Sequence, residues 1–129
     1  PRSLRVVEPL DHATFLALAA RAQLLVSDSG GLQEEVTVLG RPMVVVRTST
    51  ERPESVRAGF CRLARPAGIP AAAAELLAPD HLAELARTPS PYGDGSASRR
   101  IADHVLDLVT RGVPVDLDRA TAASARPGC

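Results

Sequence analysis

The sequence predicts an α/β domain built on a parallel sheet with helices on both faces, and three observations carry the prediction. The runs Leu4-Arg5-Val6-Val7, Leu24-Leu25-Val26-Ser27 and Pro42-Met43-Val44-Val45-Val46-Arg47 are near-continuous in apolar residues. That is the pattern of parallel strands covered on both faces, rather than the alternation of a half-exposed sheet. Segments with apolar residues at helical spacing separate the runs, and Gly and Pro punctuate the joints.

Taken in order, Leu4-Arg5-Val6-Val7 is a first short strand. Asp11 is then placed to cap a helix over residues 13–21, which leads into the strand at residues 24–27. Together these make one β-α-β unit. Gly30-Gly31 opens a helix over residues 32–39, and Gly40-Arg41-Pro42 stops it, Gly past the end and Pro beyond. With the strand at residues 42–47 this makes a second unit. Pro53 suits the first turn of a short helix. Cys61-Arg62-Leu63-Ala64 is a candidate fourth strand, followed by helices over residues 70–77 and 80–86. Pro89-Ser90-Pro91-Tyr92-Gly93-Asp94-Gly95-Ser96 reads as a loop. The clearest helix spans residues 97–110, with Ile101, Val105, Leu108 and Val109 on one stripe. One domain over residues 1–112 is expected, with residues 113–129 a flexible tail, because the chain there turns polar and rich in Ala and Pro. The start at Pro1, running straight into a strand, looks like a chain cut from something longer.

Composition narrows the function classes. The chain has 129 residues, 45% of them hydrophobic, enough for one core and not for two. Fifteen basic residues balance fifteen acidic ones, so no global field favours nucleic acid or an anionic membrane, and any anion site must be local. Aromatic residues are 2% with no Trp, a poor basis for a base-stacking surface. No apolar run approaches the roughly twenty residues of a membrane helix, and no signal peptide opens the chain. Cys61 reads as a core thiol and Cys129 as a loose end, which suits a reducing, cytoplasmic compartment. His12, His81 and His104 have no ligand-like spacing, and neither a metal nor a cofactor is expected.

Two motifs about twenty residues apart carry the chemistry. Asp28-Ser29-Gly30-Gly31-Leu32-Gln33-Glu34-Glu35 follows a strand, at the sheet edge where ligands of open parallel sheets bind. Gly30 and Gly31 let the backbone approach a ligand and take positive φ, the next helix offers free N–H groups and its positive dipole end, and the Ser29 hydroxyl adds a donor. Glu35 lies one turn after Gly31, where a carboxylate can accept both hydroxyls of a ribose. A plain Gly-Gly turn, with Glu34 and Glu35 complementing the helix dipole, fits the motif equally well. Thr50-Glu51-Arg52-Pro53-Glu54 follows the next strand and so falls at the same edge. Arg52 would face phosphates across the cleft, oriented by Glu51 or Glu54; taken alone, a charged surface loop explains the run better. Phe15 either stacks on a base or packs in the core, and its spacing favours the core.

These residues also carry a resemblance. The first motif, then Leu39-Gly40-Arg41-Pro42, Arg47, Thr50-Glu51-Arg52-Pro53-Glu54, Ala58-Gly59 and Tyr92-Gly93-Asp94-Gly95 resemble, in order and spacing over most of residues 4–110, the C-terminal half of the UDP-N-acetylglucosamine 2-epimerases. The resemblance implies one half of a GT-B arrangement, two Rossmann-like domains facing each other across an active-site cleft. It implies a UDP-N-acetylglucosamine 2-epimerase, an isomerase that interconverts UDP-N-acetylglucosamine and UDP-N-acetylmannosamine by eliminating and re-adding UDP through a 2-acetamidoglucal. Carried over by position, Ser29, Gly30 and Gly31 would hold the diphosphate, Glu35 the ribose, and Phe15 the uracil, with Arg52 binding and stabilising the leaving phosphate as the catalytic cation. The implied partners are UDP-N-acetylglucosamine or UDP, a second copy in a homodimer, and an N-terminal domain that supplies the family's acids and bases, without which this chain is expected to be inactive. Departures are His12 where the family usually has Tyr, Phe60 after Gly59, and a shorter stretch at Arg65-Pro66-Ala67-Gly68. The nucleotide-binding half of a GT-B glycosyltransferase and a non-catalytic UDP-sugar-binding remnant are the alternatives.

Overall fold

The computed structural model describes residues 3–111, so the expected tail and Cys129 lie outside the described residues. The chain divides into two compact units, Pro1–Gly93 and Asp94–Cys129. In the first, α1 (His12–Ala19), β1 (Leu25–Ser27), α2 (Gly30–Leu39), β2 (Met43–Val45), α3 (Pro53–Arg57), β3 (Cys61–Leu63), a 3₁₀ turn (Pro66–Gly68), α4 (Ile69–Leu76) and α5 (Pro79–Leu85) follow in sequence. The second contains α6 (Ala97–Thr110).

The sheet is parallel, in the order β1-β2-β3. All three residues of β2 are fully buried, and strand geometry points them alternately to opposite faces. Met43 and Val45 pack with Leu25, Leu32, Val36, Phe60, Cys61 and Leu85, whereas Val44 packs with Ala72 and Leu76 of α4 on the other side. Helices therefore cover both faces, and the continuous apolar run has its explanation. Phe60, which departs from the family pattern, is a fully buried core residue. Cys61 is a buried free thiol, and burial pushes its pKa up, so it remains protonated.

The expected first strand does not form. Residues 4–10 make no backbone hydrogen bond among the described residues, and Leu4, Val6 and Val7 are 71%, 90% and 64% exposed. β-propensity expresses fit to a ladder and a half-buried face, and in the described chain this segment has neither. The first expected β-α-β unit is thus missing its first strand. The second forms through α2, and α3 joins β2 to β3 in another.

Local signals set the helix ends. The Asp11 carboxylate caps α1, accepting from the Thr14 amide at 3.0 Å and the Thr14 hydroxyl at 2.6 Å, and these bonds hold its pKa below the usual carboxylate value. α2 begins two residues earlier than expected, at Gly30, because Ser29 serves as N-cap and its Oγ accepts from the Leu32 amide at 3.3 Å. Gly40 closes α2 in the left-handed region at φ 64°, its N–H returning to the Val36 carbonyl. In the second unit α6 occupies the residues expected of it, and the Ser96 amide and hydroxyl both donate to Asp94 just before its first turn.

A Cβ on Gly40 would meet nothing within 4 Å, so only its backbone conformation demands glycine. Gly40→Ala should therefore cost about 1–2 kcal/mol, and Gly40→Asn clearly less. Urea unfolding should show both as shifts in midpoint with an unchanged slope.

Candidate anion site at the carboxyl edge of the sheet

Register brings the two motifs together. Ser27 pairs with Val45 and Val45 with Leu63, so the three strands end level and the loops after β1 and β2 leave the sheet at one edge. The first turn of α2 lies there, with Ser29 and Gly31 exposed. The two glycines differ from expectation: neither takes positive φ, because the helix begins on Gly30 and holds both in its first turn. Their roles also separate. A Cβ on Gly30 would sit 2.5 Å from Glu51 Oε1, whereas a Cβ on Gly31 would meet nothing within 4 Å. Gly30 makes room for the second motif, and Gly31 leaves open backbone facing solvent.

The second motif folds onto the first through charge and hydrogen bonds. Arg47 Nη1 donates to both Glu51 carboxylate oxygens, at 3.1 and 2.8 Å, and so holds that carboxylate near the amino end of α2. The Glu51 amide and Arg47 keep the Glu51 pKa below its usual value. The chain's own anion thus lies where the helix dipole attracts one. Arg52 donates through Nε to the Glu34 carboxylate, which pushes the guanidinium pKa up. This corrects the expectation that Glu51 or Glu54 orients Arg52: Glu51 is taken by Arg47, and only its backbone carbonyl receives Arg52 Nη1, at 3.4 Å. The Thr50 hydroxyl donates to Gln33 Oε1 at 2.6 Å and accepts the Arg52 amide at 3.0 Å, while Gln33 Nε2 donates to the Ser29 carbonyl at 3.2 Å.

Glu35 turns away from this cluster toward α1, where its carboxylate lies 2.9 Å from His12 Nε2. Phe15 packs half-buried against the core and also lines a cavity of about 310 Å³ with Leu18, Ala22, Val26 and Ser27. Its ring is thus core on one side and the wall of an apolar recess at β1 on the other. His81 is satisfied by the Gly59 carbonyl at 3.0 Å.

Three residues of this arrangement have contacts that the sequence reading did not assign to them. Gln33 and Glu34 lie inside the first motif, and helical phase distinguishes them: successive residues point about 100° apart, so Glu34 meets Arg52 while Glu35 meets His12. Tyr92 accepts the Ser55 amide at 3.2 Å, satisfying a first-turn N–H of α3, a helix with no side-chain cap of its own. Its signal was a lone Tyr in a Pro- and Gly-rich loop.

Comparison with known proteins gives the family and the fold. Residues 1–106 match the family model described as UDP-N-acetylglucosamine 2-epimerase. The UDP-N-acetylglucosamine 2-epimerase of Bacillus subtilis is 42% identical over 106 residues, which are 80% of this chain and 28% of the relative. The Neisseria meningitidis UDP-GlcNAc 2-epimerase structure bound to UDP-GlcNAc superposes with a TM-score of 0.67 at 36% identity, over 78% of this chain and 28% of that one. The Methanocaldococcus jannaschii enzyme in complex with UDP-GlcNAc and UDP gives 0.68 at 31%, over 78% and 27%. The chain spans less than a third of these relatives, and its parallel sheet has their Rossmann-like fold. By the family match across residues 1–106 and the likeness in fold, the chain belongs to the UDP-N-acetylglucosamine 2-epimerase family.

Proposed function

We propose that this chain is the UDP-binding C-terminal portion of a UDP-N-acetylglucosamine 2-epimerase. The observation that carries the reading is the open amino end of α2 at Ser29–Gly31 on the same sheet edge as Arg52. A diphosphate would take the free first-turn N–H groups, displacing the Glu51 carboxylate. Arg47 and Arg52 would then exchange carboxylate partners for phosphate oxygens. Both pairs are partly exposed, and such pairs are worth only about 0–1 kcal/mol, so the exchange is inexpensive. Glu35 would take the ribose hydroxyls in place of His12, and Phe15 would lie against the uracil, since its ring lines an apolar recess.

In the reaction so read, a base removes the proton from C2 of the sugar, the C1–C2 double bond forms, and the C1–O electron pair leaves with UDP. UDP then adds back to C1 while a proton is delivered to the opposite face of C2, which gives the epimer. Arg52 would meet charge that grows on the β-phosphate as the C1–O bond breaks, an interaction stronger in the transition state than in the substrate. The proton transfers belong to the family's N-terminal domain, so this chain would bind without turning over. A cytoplasmic location is part of the reading and is supported by the free thiol of Cys61.

Calorimetric titration of the chain with UDP tests the reading. Saturable binding with a Kd between roughly 0.05 and 1 mM is expected, because one wall of a two-walled site supplies a fraction of the full affinity. Absence of a saturable signal into the millimolar range would remove it.

Gly31→Ala should separate folding from binding. With space for the methyl group and a helical backbone, alanine should raise stability by up to about 1 kcal/mol. UDP affinity should fall, since the methyl group would stand where the phosphate approaches. Thermal unfolding and titration on one sample give both numbers, and unchanged affinity would move the phosphate elsewhere.

Glu35→Gln should weaken UDP, because an amide accepts through only one of its two terminal atoms. The wild type should hold 2′-deoxy-UDP poorly, and the mutation should affect that ligand far less, the two changes removing a shared interaction. Titrations of both ligands against both proteins measure the coupling. If the UDP to deoxy-UDP ratio is the same in both proteins, Glu35 serves only its contact with His12.

A further inference from the structure

The side chain of Gln33 is fully buried, yet it is polar and sits in the first two turns of α2. A buried amide without partners is costly, so its bonds define its purpose. Their directions follow from chemistry. The Ser29 carbonyl only accepts, so the Nε2 group must face it, at 3.2 Å. Oε1 therefore faces Thr50 at 2.6 Å, and the Thr50 hydroxyl must donate there. The oxygen of that hydroxyl remains free to accept the Arg52 amide at 3.0 Å. A one-way chain thus runs from the Arg52 N–H through the Thr50 hydroxyl and the Gln33 amide to the Ser29 carbonyl. It joins the residue that opens α3 to the residue that caps α2. Glutamate at position 33 would turn an acceptor toward the Ser29 carbonyl, and an apolar side chain would break both links.

We propose that Gln33 is a positioning residue, which through Thr50 holds the Arg52 loop against the Ser29 turn and so sets the spacing between the guanidinium and the amino end of α2. The proposal rests on the diphosphate reading for its functional consequence. The Glu34–Arg52 pair cannot do this alone, because its side chains are 42% and 35% exposed and exchangeable. Gln33 touches no ligand in this arrangement and acts through Arg52.

The test uses the whole chain in three variants. Gln33→Met keeps length and burial without the two bonds, Thr50→Val keeps shape without the hydroxyl, and Thr50→Ser keeps the hydroxyl. Two quantities are read: hydrogen exchange at the Arg52 amide, and UDP affinity by calorimetry. Gln33→Met and Thr50→Val should each speed Arg52 exchange and weaken UDP roughly 5- to 30-fold, the scale of one or two lost buried hydrogen bonds. Thr50→Ser should stay near wild type. Adding Arg52→Ala to Gln33→Met should give less than the product of the separate losses, because one acts through the other. Lowered melting temperature with unchanged Arg52 exchange and unchanged UDP affinity would reduce Gln33 to a core amide and overturn the proposal, as would full multiplicativity with Arg52→Ala. Should Gln33→Met fail to fold, the contrast between Thr50→Val and Thr50→Ser decides. Should the wild type bind no UDP, the diphosphate reading fails by itself. Exchange at Arg52 then decides the clasp, faster in Gln33→Met and Thr50→Val if it stands and unchanged if it does not.

Discussion

Everything at the sheet edge depends on the burial of β2 on both faces. Met43 and Val45 need one apolar layer, to which the connection helices α2 and α3 contribute, and Val44 needs another, which α4 supplies from beyond β3. That requirement makes the neighbouring strands parallel, since each connection must cross back over a face through a helix. Parallel strands of three residues in level register then end at one edge. The loops after β1 and β2 meet there whatever their own sequences prefer. Proximity of the two motifs is thus a consequence of three apolar residues that lie in neither.

At that edge the contacts fall into two energetic classes. The ion pairs Arg47–Glu51 and Arg52–Glu34 are partly exposed, and pairs of that kind contribute about 0–1 kcal/mol each. The Gln33 bonds are buried, where an unsatisfied donor or acceptor costs about 1–3 kcal/mol. The difference decides which contacts would yield to an anion in the proposed function. The cations can change partners while the backbone that carries them stays in place. In the proposed function the Glu51 carboxylate beside Gly30 stands in for the anion, because helix dipole and Arg47 already hold a negative charge there.

How far the sequence could be read follows from the range of each signal. Local chemistry was legible: the Asp11 cap, the Gly40 stop, Pro53 at the head of α3 and the bounds of α6 all appear, because each depends on neighbours within a turn. The strand at residues 4–7 failed for the opposite reason, since its residues have β-propensity but a strand exists only with a ladder partner. At the site, the edge and its loops followed from topology. The partner of Arg52 did not, because Glu51 and Glu54 are its neighbours along the chain and only the fold and the rotation of α2 bring Glu34 to it. Gln33 was invisible for a related reason. Between Leu32 and Glu34 it reads as a surface residue, and the demand for a buried amide arises only when Thr50 arrives from another loop.

The glycines of α2 show where folding alone stops explaining the residues. Gly40 is required by a left-handed backbone, and at Gly30 a Cβ would displace the Glu51 carboxylate from its place. Gly31 has neither reason: its backbone is helical, the space beside it is empty, and glycine in a helix is less stable than alanine by up to about 1 kcal/mol. A helix that begins with an exposed glycine keeps its first-turn N–H groups accessible from the side, where a methyl group would shield them. In this fold that accessibility sits at the one sheet edge where Arg47 and Arg52 are held by exchangeable carboxylates. An unneeded glycine, a dipole end and two loosely paired cations have a common physical account if an anion larger than a carboxylate approaches there.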